Sequence, residues 1–167
     1  FSYFMVNAFA QAAVTFTSQN YGAGQKDRCK KIFRLSMLFS ILFCGTLSCI
    51  FVLGRDFFLH LYRSDEAVYR FAAQRILIVT TLEFLTSVYE ISAGAMRGLG
   101  HSLLPAVITC VGSCVLRLIW IATVCRIYHT FWVLLIIYPI SWVITGVSMM
   151  AAYHFIKKRV FRKTVAV

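Results

Sequence analysis

Two carboxylates, Glu83 and Glu90, stand inside the apolar stretch VTTLEFLTSVYEISAGAMRGLG, Val79 to Gly100. An acid in that setting can bind and release a proton, hold a cation, or pair with a base. Seven residues apart, the two lie on nearly one helical face, with Thr80, Ser87 and Gly94 on the same stripe. A charged side chain near the bilayer centre costs about 2.5–3.5 kcal/mol on insertion scales, so this stripe must face protein or water. Its acids must be paired, hydrated or protonated.

Arg117 is the one basic residue deep in another apolar run, and it offers a partner. At about 1.5 Å per residue, Glu83 is placed about 4.5 Å outward of the centre of its span and Arg117 about 5 Å outward of its own. The depths match, and the two spans run antiparallel. The expectation is therefore a structural ion pair between Glu83 and Arg117. Glu90 sits about 6 Å inward on the same scale, with no base at its level, and is the first candidate for proton or cation coupling, Glu83 the second. The alternative is that both acids are structural, satisfied by hydroxyls or by Arg97 extending toward them.

The first apolar run carries a second polar stripe, Asn7, Gln11, Thr15 and Ser18, able to line a cavity or to hydrogen-bond a neighbouring helix. Pro105 and Pro139 are expected to kink their helices. His60, His101, His129 and His154 form no constellation and receive no role. The six cysteines, Cys29, Cys44, Cys49, Cys110, Cys114 and Cys125, have no C-x-x-C and no histidine at zinc spacing. They read as small buried hydrophobes, and neither a metal site nor a disulfide framework is expected. No G-x-S-x-G, H-E-x-x-H or phosphate-cradling glycine loop is present, so no enzymatic activity and no cofactor are expected.

The elements that must position these groups follow from composition. Of 167 residues, 60% are hydrophobic and 14% charged, more apolar surface than a soluble domain of this size can cover. Lipid is the fitting solvent. The net charge of +11 would suggest nucleic acid in a soluble protein. Here the bases cluster between apolar runs, as membrane topology alone would place them, and no nucleic-acid partner is expected. Five spans are predicted, at about residues 1–20, 32–53, 76–96, 103–124 and 131–156, with a basic tail over 157–167. Backbone hydrogen bonding in lipid makes all of them helices, so the fold class is an all-α polytopic membrane protein.

The joints agree. Glycines 22 and 24 close the first span, and Gly98 and Gly100 the third. Ser64 before Asp65 and Glu66 is a candidate N-cap. Trp132, Tyr128 and Tyr153 near span ends suit an interfacial aromatic belt. One side carries Lys26, Arg28, Lys30, Lys31, Arg34, Arg97, Lys157, Lys158, Arg159, Arg162 and Lys163; the other has Arg55, Arg63, Arg70, Arg75 and Arg126. The richer side is expected to be cytoplasmic, with the C-terminus there. Phe1 opens a helix already under way, without an initiator Met or a basic n-region, which reads as part of a longer protein and not as a signal peptide.

Four stretches in order now resemble one family. FAQAAVTFTSQNYGAGQKDRCKKIFR (Phe9 to Arg34) resembles the end of the eighth helix and the following loop of multidrug and toxic compound extrusion (MATE) transporters. GAMRGLGHSLLPAVI (Gly94 to Ile108) is similar to their junction of helices ten and eleven. VLRLIWIATV (Val115 to Val124) is similar to the rest of the eleventh, and YPISWVITG (Tyr138 to Gly146) to the twelfth. The resemblance implies two six-helix lobes, of which this chain is most of the C-terminal one. It implies alternating access and export of organic, often cationic, compounds in exchange for protons or sodium ions. The partners would be a small organic substrate, the lipid bilayer and the N-terminal lobe, in the plasma (inner) membrane.

Some relatives carry a cation-binding aspartate eleven residues before the arginine of the Arg-Gly junction. Counting back from Arg97, that position is Thr86, which joins Asn7, Gln11 and Thr15 as a cavity-lining candidate, and Glu90 lies one turn further on. Two other functions stay open: a lipid or lipid-linked oligosaccharide flippase of the same superfamily, and a non-transporting membrane scaffold subunit.

Overall fold

In the computed structural model of the protein, residues 2–61 and 66–163 are described, and these are helical apart from short turns, with no strand among them. The helices are α1 (Ser2–Gly22), α2 (Lys26–Leu53), α3 (Arg55–Leu61), α4 (Glu66–Arg75), α5 (Thr86–Gly98), α6 (Leu103–Thr109), α7 (Leu116–Ile127) and α8 (Phe131–Lys163). Between α4 and α5 the chain stays coiled through a π turn (Ile76–Thr80) and a 3₁₀ turn (Glu83–Leu85); a second π turn (Cys110–Val115) joins α6 to α7. Four continuous helical stretches are long and apolar enough to cross a membrane: Lys26–Leu53, Tyr69–Gly98, Leu103–Ile127 and Phe131–Arg162. The remaining predicted span forms as α1, whose 21 residues reach about 31 Å but carry the polar stripe.

Boundaries shift for physical reasons. α2 begins at Lys26, six residues before the predicted apolar run, because lysine and arginine are good helix formers and cost nothing where the helix meets water. The predicted basic tail is likewise the end of α8, which is helical to Lys163. Two contacts hold that end: Val160 is buried, and Lys26 Nζ donates to the Phe161 carbonyl at 3.0 Å. α8 also runs unbroken through Pro139, while Pro105 falls in the first turn of α6, where a missing N–H costs no hydrogen bond. The predicted cap at Ser64 and Asp65 lies outside the described residues.

α5 is the centre of the structure. It packs against α1, α2, α6 and α8, and its buried residues run almost continuously from Thr86 to Gly98. Two apolar clusters flank it. One joins Tyr89, Ala93, Met96 and Leu99 to Trp142, Met149, Tyr153 and Ile156 of α8; the other joins Ile91 to Ala10 and Ala13 of α1. Tyr153 is thus a core residue, buried and stacked on Phe33 at 4.0 Å between ring centroids, and does not belong to an interfacial belt. Large apolar side chains on the outer faces of α2, α7 and α8, such as Leu42, Leu118 and Val147, are exposed, the pattern of a chain whose outer solvent is hydrocarbon.

The α1–α5 contact depends on missing side chains. A Cβ at Gly94 would lie 2.7 Å from the Ala10 carbonyl oxygen, and one at Gly98 would lie 2.7 Å from Thr17 Cβ. Gly94 and Gly98 are four residues apart, one turn, so they form a smooth strip on which α1 lies parallel to α5 at backbone contact. Ala10, Ala13 and Thr17, all buried, are the matching small surface. Of the six cysteines, all free, only Cys29 and Cys44 are buried; Cys49, Cys110 and Cys114 are exposed and Cys125 is intermediate, so the expectation of buried cysteines holds for two.

Candidate functional site

Of the polar candidates of the first and third predicted spans, Asn7 and Glu90 meet at a recess of about 580 Å³ between α1, α5 and α6. α1 contributes Tyr3 and Asn7, α5 contributes Glu90, Ala93 and Arg97, and the start of the α6 stretch contributes Ser102, Pro105, Ala106 and Thr109, with Cys110 beyond. The spacing explains the wall: Glu90, Ala93 and Arg97 recur at steps of three and four, one face of α5. Tyr3 and Asn7 stand one turn apart on α1. The small-residue strip at Gly94 and Gly98 brings the two helices close enough for these side chains to share one space.

Inside the recess Glu90 Oε2 lies 3.9 Å from Arg97 Nη2, with the two side chains 14% and 38% exposed. That separation is Coulombic contact without a hydrogen bond. The Tyr3 hydroxyl is within hydrogen-bonding reach of the same carboxylate. Glu90 is therefore not without a base, as the depth estimate implied: Arg97 reaches back two turns along its own helix to meet it. Three polar residues of the recess, Tyr3, Ser102 and Thr109, carry no signal in the sequence that would place them beside Glu90. The repeat Gly94-x-x-x-Gly98, a small-residue motif for close helix approach, marks this face of α5 as open to a neighbouring helix without saying which one.

The predicted pair between Glu83 and Arg117 does not form. Arg117 Nε donates to Ser141 Oγ at 3.1 Å, and its guanidinium carbon stands 4.5 Å from the centroid of the Tyr138 ring, both on α8. Ser141 in turn donates to the Tyr138 carbonyl at 2.8 Å. Glu83 has the Ser2 hydroxyl within hydrogen-bonding reach instead. The depth argument failed because both residues sit just beyond irregular turns, Arg117 after the π turn at Cys110–Val115 and Glu83 after that at Ile76–Thr80. A wider turn rotates everything beyond it, so matched depth no longer implies a shared face.

The other candidates separate. Asn7 lines the recess, whereas Gln11 and Thr15 are exposed on the side of α1 turned away from the neighbours it packs on. Thr86 is buried and donates its hydroxyl to the Glu83 carbonyl at 2.6 Å, closing a helical turn, and is not among the residues lining this recess. Ser87 is also internal, accepting from Ser40 Oγ of α2 at 2.8 Å. Among the described residues no three His, Cys, Asp or Glu side chains gather as a metal-ligand set. The donors available at the recess are hard oxygens: the Glu90 carboxylate, the Asn7 amide and the hydroxyls of Tyr3, Ser102 and Thr109.

This arrangement, a carboxylate held in a helical membrane bundle beside a base, sits in a chain whose residues 1–123 match the MatE family model. The chain belongs to the MatE family. It is 26% identical over 98 residues to a probable multidrug resistance protein NorM of Thermotoga maritima, an alignment covering 59% of this chain and 21% of that protein. It is 23% identical over 110 residues to multidrug and toxin extrusion protein 1 of Homo sapiens and of Pongo abelii, covering 66% of this chain and 19% of each relative. The chain thus aligns with about a fifth of the length of these relatives. In this MatE chain the matched region holds α1 to most of α7 and so contains the whole recess, Glu90 included.

Proposed function

We propose that the full-length protein is a secondary active exporter of organic, often cationic, compounds, of which this chain is most of the C-terminal six-helix lobe, and that Glu90 takes up and releases the coupling ion. The observation that carries the reading is the Glu90 carboxylate, largely sheltered yet opening into a polar recess beside Arg97 and Tyr3. Family membership and the names of the relatives, multidrug resistance and multidrug and toxin extrusion, support the same class of cargo.

The chemistry follows from charge. An ionised Glu90 attracts Arg97; a protonated Glu90 loses that attraction and frees the guanidinium to turn elsewhere. Two arrangements of one face of α5 then differ by a single proton, which is what alternating access needs to couple to a gradient. Between a proton and a sodium ion, the neighbouring Arg97 favours the proton, because a metal cation placed there would be repelled by the guanidinium. The protein would lie in the plasma membrane with the basic ends of α2 and α8 in the cytoplasm.

The test is export of a cationic dye by the full-length protein in vesicles, under imposed pH and sodium gradients, for the natural protein and Glu90→Gln. Coupling through Glu90 requires that Glu90→Gln lose the acceleration by a pH gradient. Export with unchanged pH dependence in that variant would remove Glu90 from the mechanism. Export that survives collapse of both gradients would remove antiport altogether.

A further inference from the structure

At the end of the molecule where α6 begins and α8 finishes, two shallow recesses share the walls Phe155 and Arg159. The larger, about 470 Å³, is lined by the apolar Leu104, Val107, Phe155 and Ile156 together with His101 and Arg159. The smaller, about 390 Å³, adds Lys158 and Arg162. Leu104, Val107 and Phe155 are 42%, 49% and 68% exposed, so the apolar lining is open. The described carboxylates in ion pairs answer other bases: Asp27 answers Lys30, Asp56 answers Arg55, and Glu90 answers Arg97. No described acid pairs with Lys158, Arg159 or Arg162. An open apolar trough therefore ends in three cations that no described acid pairs with.

We propose that this trough binds an anionic phospholipid, an acyl chain lying over Leu104, Val107 and Phe155 and the phosphodiester meeting Arg159, flanked by Lys158 and Arg162. Charge complementarity selects an anion, and the apolar lining selects a lipid over a free anion, which has nothing to place on it. Basic pockets between helices at the cytoplasmic side are suited to acidic head groups. A general attraction of basic ends to a negative leaflet would depend on total charge alone. A built site depends on which charge is removed, and that difference makes the proposal testable without any transport measurement.

Full-length protein is equilibrated with vesicles of phosphatidylcholine and phosphatidylglycerol, extracted, and its retained lipid measured by native mass spectrometry. Arg159→Gln is expected to lower phosphatidylglycerol retention about fivefold and to leave phosphatidylcholine unchanged. Lys31→Gln removes the same charge from exposed α2 surface outside the trough and is expected to retain lipid as the natural protein does. Phe155→Ser, checked for folding by gel filtration, is expected to weaken retention with all charges kept. Equal losses in Arg159→Gln and Lys31→Gln, no loss in Arg159→Gln, or displacement of the lipid by inorganic phosphate would each overturn the site. A trough covered by the remainder of the full-length chain would show as no phosphatidylglycerol preference at all and would equally overturn it.

Discussion

Gly94→Ala adds one methyl group to α5, and the structure gives its cost. The new Cβ would stand 2.7 Å from the Ala10 carbonyl oxygen, where ordinary contact begins at 3.4 Å. The obstacle is backbone, so no side-chain rotation relieves it, and α1 and α5 must separate or turn. Separation by a few tenths of an ångström along the whole contact weakens the dispersion attraction of Ala10, Ala13 and Ile91, which lie in the same seam. Overpacking of this kind costs about 1–3 kcal/mol. The natural control is Gly45→Ala in α2, where nothing lies within 4 Å of the added carbon and relief of backbone freedom stabilises a helix by about 0.5–1 kcal/mol. Both variants of the full-length protein are unfolded by a detergent titration followed by circular dichroism. The reasoning requires opposite signs. Gly94→Ala within about 0.5 kcal/mol of the natural protein, the range of an ordinary surface change, would refute the close approach of α1 and α5.

Three further outcomes are expected. Gly112→Ala would overlap the Thr145 hydroxyl of α8, an oxygen with no hydrogen-bond partner among the described residues; it should cost about 1–3 kcal/mol in thermal unfolding, and adding Thr145→Ala should recover most of the loss, whereas a double variant no better than the single would refute the clash. A double-mutant cycle of Arg117→Met with Tyr138→Leu should show coupling of about 0.5–1 kcal/mol, while Arg117→Met and Glu83→Gln should add to within about 0.5 kcal/mol; stronger coupling to Glu83 would reinstate the ion pair. At the other end of the molecule the Tyr69 hydroxyl donates to Asp56 Oδ1 at 2.7 Å and, with Arg55 beside it, holds the Asp56 carboxyl below the usual carboxylate range. A depressed folded value means that this stabilisation is present above the ordinary carboxylate pKa and is lost as pH falls through the folded one; Tyr69→Phe should raise the Asp56 midpoint followed by carboxyl NMR, and an unmoved midpoint would refute the assignment.

Legibility in the sequence divides along covalent distance. The helices were readable because lipid leaves the backbone few alternatives, and an apolar run announces itself within its own residues. Gly98 and Gly100 marked the end of α5 for the same local reason: the chain turns there, and Gly100 takes a φ of +84° that side chains disfavour. Glu90 was legible as a group needing an explanation. Its partners were less so, since Tyr3 is 87 residues away in sequence and meets it only because two helices touch through glycines. Glu83 and Arg117 share a depth but not a facing direction, and the two follow different rules. Depth along a straight helix is additive and was estimated from residue counts. Facing direction is periodic, and one widened turn resets it.

The amino-acid sequence alone determined an all-helical membrane chain, the clustering of its bases between apolar runs, its family motifs and the presence of acids that lipid would not tolerate bare. Each of those depends on the solvent acting on a residue and its near neighbours. Only the tertiary structure decided that Thr86 is a buried turn-closing hydroxyl, that Arg117 belongs to Ser141 and Tyr138, that the basic tail is the end of α8, and that Glu90 shares a recess with Arg97 and Tyr3. Those outcomes rest on helix rotation and on sub-ångström helix approach. Both are set by the packing of residues far apart in the chain, and no local pattern encodes them.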